Sequence, residues 1–127
     1  MTRKTILQCV GHFRELGYNY DAAPSIVDAR GKRVATNKDK VVQYLRAGKC
    51  YIVFTGIVKD YFEPSAIIGT RSTRTDGTYT WPNALAYYVE RYDIALPEHF
   101  ERFMEDRGWQ IRDDIDLLSL DLPLRPY

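Results

Sequence analysis

A chain of 127 residues, 45% hydrophobic and 28% charged, is long enough to bury a core and is expected to form one domain over residues 1–127. No apolar run is long enough to span a bilayer, and the start, Met1-Thr2-Arg3-Lys4, lacks the apolar stretch of a signal peptide, so a cytoplasmic setting is expected. The net charge of +1 conceals an asymmetry: residues 1–60 hold eleven Lys/Arg against five Asp/Glu, and residues 61–127 hold seven against twelve. Only two cysteines are present, Cys9 and Cys50, and both are expected reduced and buried or half-buried.

Ile6, Val10 and Phe13, with Leu16 just beyond, recur at helical spacing. They predict a helix over residues 2–16, capped by Thr2 and ended by Gly17. A loop follows to Ser25. Ile26, Val27 and Val34, around Arg30-Gly31, predict a small hairpin over residues 25–35. Thr36 opens a second helix, with Asp39 three residues on as in a capping box. Val41, Val42 and Leu45 supply its buried stripe, and Gly48 ends it. Cys50 to Val58 is β-branched and aromatic without polar alternation, the pattern of a central strand covered on both faces. After a loop from Lys59 to Ser65, Ala66–Thr73 and Tyr79–Trp81 complete an antiparallel meander.

Asp76-Gly77 is a strong hairpin signal, because both central residues of such a turn take positive φ. A two-residue turn pairs Thr75 with Thr78, Arg74 with Tyr79 and Ser72 with Trp81. That register puts Ser72, Arg74, Tyr79 and Trp81 on one face and Thr73, Thr75, Thr78 and Thr80 on the other. Pro82 then stops the strand and starts a helix. Leu85, Tyr88, Val89 and Tyr92 follow the i, i+3, i+4, i+7 pattern of a one-sided helix, leaving Tyr87, Glu90 and Arg91 outward. Pro97 opens a further helix with Phe100, Phe103 and Met104 as its core stripe. Gly108 stops it, and Trp109 is placed to fold back. The tail interleaves Asp113, Asp114, Asp116 and Asp121 with leucines and allows one last strand near Leu120, while Pro123 and Pro126 prevent an extended helix. The expected fold class is α+β: an antiparallel β-meander packed against helices.

Catalytic and metal chemistry find little support. Cys9-x-x-His12 is half of a zinc signature, but Cys50 and His99 lack the close spacing of a second pair, so no metal is assigned. With only two histidines, any nucleophile needs His12 or His99 as its base. Arg71 and Arg74 offer an anion site, which competes with a plain solvated strand. Asp113, Asp114 and Asp116 suit a hard cation, yet the Asp-x-Asp-x-Asp-Gly loop is absent. Arg30, Lys32, Arg33, Lys38, Lys40, Arg46 and Lys49, near Tyr44 and Tyr51, keep a nucleic-acid-associated regulatory domain as an alternative. A small hydrolase or metal-dependent enzyme built on His12 or His99 is the second. On the helix after Pro97, Glu98–Arg102 and Arg102–Asp106 are i, i+4 pairs. Glu101 and Glu105 are like charges one turn apart, which a basic partner would answer.

The run Thr75-Asp76-Gly77-x-Tyr79-x-Trp81-Pro82-x-x-Leu85-x-Tyr87-Tyr88-Val89-x-x-Tyr92-x-x-x-Leu96-Pro97-x-x-Phe100, closing with Gly108-Trp109, resembles a group of small bacterial proteins. They are associated with immunity functions in polymorphic toxin and contact-dependent growth inhibition systems. The resemblance covers Ile67 to Trp109. It implies a non-enzymatic protein, without a cofactor, that binds a cognate toxin C-terminal domain and occludes its active site. A basic toxin such as a nuclease fits the acidic half. The residues expected at that interface are Asp76, Tyr79, Trp81, Tyr87, Glu101, Glu105, Asp113, Asp114 and Asp116. For Trp81, beside a strand–helix junction, a core position competes.

Overall fold

The computed structural model describes residues 4–18, 20, 22–33, 35–124 and 127. In chain order the elements are β1 (Thr5–Ile6), β2 (Gln8–Cys9), a 3-10 turn (Arg14–Leu16), α1 (Ile26–Ala29), α2 (Lys38–Ala47), β3 (Lys49–Ile52), β4 (Ile57–Lys59), β5 (Ile67–Thr70), β6 (Thr73–Thr75), β7 (Tyr79–Pro82), α3 (Leu85–Tyr92), α4 (Glu98–Asp106), a second 3-10 turn (Leu117–Ser119) and β8 (Leu120–Asp121). The main sheet runs β2-β7-β6-β3, antiparallel except for the β2–β7 pair. β4 and β5 form a separate antiparallel ribbon, and β1 pairs in parallel with β8. The fold is α+β, with the meander present as β3–β6–β7 and the β4–β5 ribbon as an excursion within it. Among the described residues no helix is long and apolar enough to cross a membrane.

Three helices follow their expected periodicity. α2 buries Val41, Val42, Tyr44 and Leu45, and α3 buries Leu85, Ala86, Tyr88 and Val89. α4 buries Phe100 and Met104, with Phe103 partly covered. Together with Tyr79 and Trp81 of β7 they make the core. Trp81 is fully buried, its indole Nε1 donating to the Leu45 carbonyl at 3.0 Å. Gly48 ends α2 as expected, but not in the left-handed conformation. A Cβ there would sit 2.5 Å from Trp81, so glycine is required by close approach of the indole.

The N-terminal helix expected over residues 2–16 is absent. Leu7, Val10 and Phe13 are the buried hydrophobics, Ile6 is exposed, and Gly11 takes φ +81. Backbone pairing with β7 and β8 outweighs a three-residue spacing that reads equally as one helix face. Gly17 does close a turn in the left-handed region, at the end of a 3-10 segment. Thr2 lies outside the described residues. The expected hairpin over 25–35 is instead the single turn α1. There Ser25 Oγ accepts from the Val27 N–H, and Glu15 accepts from both Ser25 and the Ile26 N–H. Val34 lies outside the described residues. α2 starts at Lys38 rather than Thr36, with no side-chain cap at Asn37.

The stretch from Cys50 to Val58 is not a central strand. β3 is the edge of the sheet, Cys50 is exposed rather than buried, and Val53 is 76% exposed. Ala66–Thr73 likewise divides between β5 and β6. The turn at Asp76-Gly77 is wider than two residues: Thr75 pairs with Thr80, Arg74 with Trp81, and Thr73 with Pro82. Only Gly77 has positive φ, because Asp76 Oδ1 accepts from the N–H groups of Thr78 and Tyr79 at 2.8 and 2.7 Å and holds a longer loop. The register moves by an even number, so the expected faces survive: Arg74 and Trp81 share one, Thr75 and Thr80 the other. Pro82 ends β7, but the helix begins three residues later.

Candidate functional site

The conspicuous residues of the turn belong to the core. Asp76, Tyr79 and Trp81 are all buried, so none of the three presents a surface to a partner. The Asp76 carboxylate also accepts from the Tyr44 hydroxyl at 2.5 Å. Burial, and then that hydrogen bond, push the Tyr44 phenol far above its ordinary pKa. Tyr79 packs 4.5 Å from Phe100 and 5.0 Å from Phe103, and its hydroxyl meets His99 Nδ1 at 2.9 Å.

Tyr87 has a structural partner that the sequence did not disclose. Its hydroxyl donates to Asp60 at 2.8 Å, and Tyr92 donates to the same oxygen at 2.6 Å. The other carboxylate oxygen accepts from the N–H groups of Phe62 and Glu63. Burial alone would raise the Asp60 pKa, but these four donors outweigh it and hold the carboxyl below its ordinary value. The Tyr88 hydroxyl accepts from the Tyr61 N–H at 3.0 Å, and Arg30 lies over Phe62 and Tyr92 at 4.5 and 4.7 Å. The Tyr87-Tyr88-x-x-x-Tyr92 pattern on α3 therefore clamps the loop at residues 60–63.

Part of the charge asymmetry between the halves is met inside the molecule. Arg33 pairs with Glu101, Lys38 with Asp93, and Arg46 with Glu90. Three basic residues of the first half thus meet α3, its C-terminal cap and α4 of the second. Neither expected i, i+4 pair of Arg102 is closed within 4 Å among the described residues.

One accessible face is the outer side of α4. A cleft of about 300 Å3 runs between it and residues 33–41, lined by Arg33, Ala35, Thr36, Asn37, Val41, Glu98, Glu101, Arg102, Glu105 and Trp109. It brings together Glu101 and Glu105 from the expected set. Glu101 is held by Arg33 at 2.5 Å, and that guanidinium also donates to the Leu96 carbonyl at 2.7 Å. Glu98 and Glu105 have no ion pair among the described residues. Trp109 is set by the end of α4. Gly108 N–H donates to the Glu105 carbonyl and Trp109 N–H to that of Met104, a Schellman turn that folds the indole back. Trp109 itself takes φ +62, an uncommon conformation for a bulky residue. Gly108-Trp109 was the signal in the sequence for this wall, while Arg33, Asn37 and the 33–41 side had none.

No protein-family model matches this chain, and neither do curated proteins or solved structures. The site is therefore read from its own geometry. Asp113, Asp114 and Asp116 stand apart from the cleft lining and are exposed. Asp114 lies 3.4 Å from Arg112, and Asp116 caps the second 3-10 turn by accepting from the Leu118 N–H.

Cys9 and His12 do not form an activated pair. Burial pushes the Cys9 thiol up to about 11 and the His12 imidazole down to about 4. At neutral pH one is a thiol and the other a neutral ring. The Tyr127 hydroxyl accepts from the His12 backbone N–H at 3.0 Å and lies 3.1 Å from Nδ1. Donation of its own proton to Nδ1 leaves the ring proton on Nε2. His12 is further enclosed by the rings of Tyr18 and Tyr20. Among the described residues no group of three or more His, Cys, Asp or Glu is placed to hold a metal ion.

Proposed function

We propose that the chain is a non-enzymatic immunity-type protein that binds a basic toxin domain and occludes its active site. The observation that carries this reading is the α4 cleft: Glu98 and Glu105 lie beside a half-buried Trp109 on an accessible face. Unpaired carboxylates steer a basic surface toward that face, and an aromatic side chain provides a desolvated anchor. The sequence resemblance of Ile67 to Trp109 points in the same direction. The interface is centred on Glu98, Glu101, Glu105 and Trp109, extending to Asp113 and Asp114. Asp76, Tyr79, Trp81 and Tyr87 act behind it, by fixing the hairpin and α3.

Of the seven basic residues behind the nucleic-acid reading, Arg33, Lys38 and Arg46 are engaged by carboxylates of the same chain, which weakens that alternative. The proposal is tested first by whether a toxin domain is encoded next to this chain, whose absence counts against it, and then by co-purification with that domain. A stable complex that protects cells expressing that domain supports it; absence of both binding and protection contradicts it.

A further inference from the structure

We infer that the cleft between α4 and residues 33–41 takes a single arginine side chain of the partner, with its guanidinium against Trp109 and between Glu98 and Glu105. The inference rests on the proposed function for the identity of the partner, but its chemistry comes from the cleft. At about 300 Å3 the space is at the lower end of ligand sites: small for a cofactor, ample for one long side chain. Ala35 and Val41 give apolar wall for a methylene stem, and Thr36 and Asn37 add oxygen acceptors.

Charge favours a cation by a narrow margin: Glu98, Glu101 and Glu105 line the cleft against Arg33 and Arg102, and Arg33 is taken up by Glu101 and the Leu96 carbonyl. Shape then selects an organic cation. The carboxylates line a common cleft, yet no three acidic groups among the described residues converge closely enough for a metal ion. A planar guanidinium spans separated carboxylates with its several N–H donors and stacks on an indole, which a compact ammonium does less well.

The test is an NMR titration of the full chain with acetyl-Gly-Arg-Gly-amide and with the same peptide carrying neutral citrulline. The arginine peptide should bind with Kd on the order of 1 mM, shifting the Trp109 indole N–H and the α4 amides. The Trp81 indole, bonded to the Leu45 carbonyl, should stay in place. The citrulline peptide and the Glu98→Gln/Glu105→Gln variant should each weaken binding about tenfold, with the rest of the spectrum unchanged. Equal response to both peptides, or no saturable shift at Trp109, overturns the inference. Protection from the toxin that survives unchanged in the Glu98→Gln/Glu105→Gln variant also overturns it, while leaving the proposed function standing. Arginine binding at the cleft by a chain that blocks no toxin supports the inference and contradicts the proposed function alone.

Discussion

Asp60 and His12 are buried titratable groups whose ionisation the fold shifts. Asp60 accepts from two backbone N–H groups and two phenols, so its removal orphans all four donors. Asp60→Ala should cost about 3 kcal/mol in urea unfolding. Its lowered pKa means that the stabilisation is complete above the unfolded carboxyl value near 4 and is lost as pH falls through the folded value. For His12 the folded pKa of about 4 lies below the unfolded value of about 6.5. Between these the unfolded chain binds the extra proton, so stability falls as pH drops from 6.5 toward 4. The expected loss from this residue is about 2–3 kcal/mol between pH 7 and 4.5. Urea titrations at the two pH values should show that difference shrinking in His12→Gln. An unchanged difference would mean that His12 is not held neutral by the fold.

At the scale of elements, legibility tracked how local the cause was. α2, α3 and α4 were readable because one face of each is apolar at helical spacing and the burial follows it. The hairpin faces were readable because alternation survives an even shift of register. The first strands were not, since their partners lie about 70 to 115 residues away in β7 and β8. The run from Cys50 to Val58 misled because β-branched composition describes a strand without saying which side of a sheet it occupies. Its edge position yields a direct expectation: Val53→Lys should change stability by less than about 0.5 kcal/mol, as on any exposed surface. A loss of several kcal/mol in chemical denaturation would restore the buried central strand. In the site, Glu101, Glu105 and Trp109 could be found from the helix and its glycine stop. Arg33 and Asn37 could not, because only the packing of residues 33–41 beside α4 brings them there.

For the whole molecule, part of the opposed charge of the two halves is neutralised internally. Three of the ion pairs join residues of the first half to α3, α4 or the Asp93 turn. Pairs that are partly exposed are each worth little, so their effect is to cancel fields rather than to hold the fold together. Among the charges left outward are Glu98 and Glu105 of α4, with Arg102 on the same helix, and the exposed carboxylates at 113 and 114. The carboxylates of α4, in the cleft shared with Trp109, are the basis on which we propose a basic protein partner. The most direct measurement is protection of cells from a toxin domain, where one is found encoded next to this chain, comparing wild type with Glu98→Arg/Glu105→Arg. Both positions are exposed and free of ion pairs among the described residues, so the variant should fold with a similar Tm. The account predicts that protection and binding to the toxin domain are lost together. Full protection by the charge-reversed protein would contradict it.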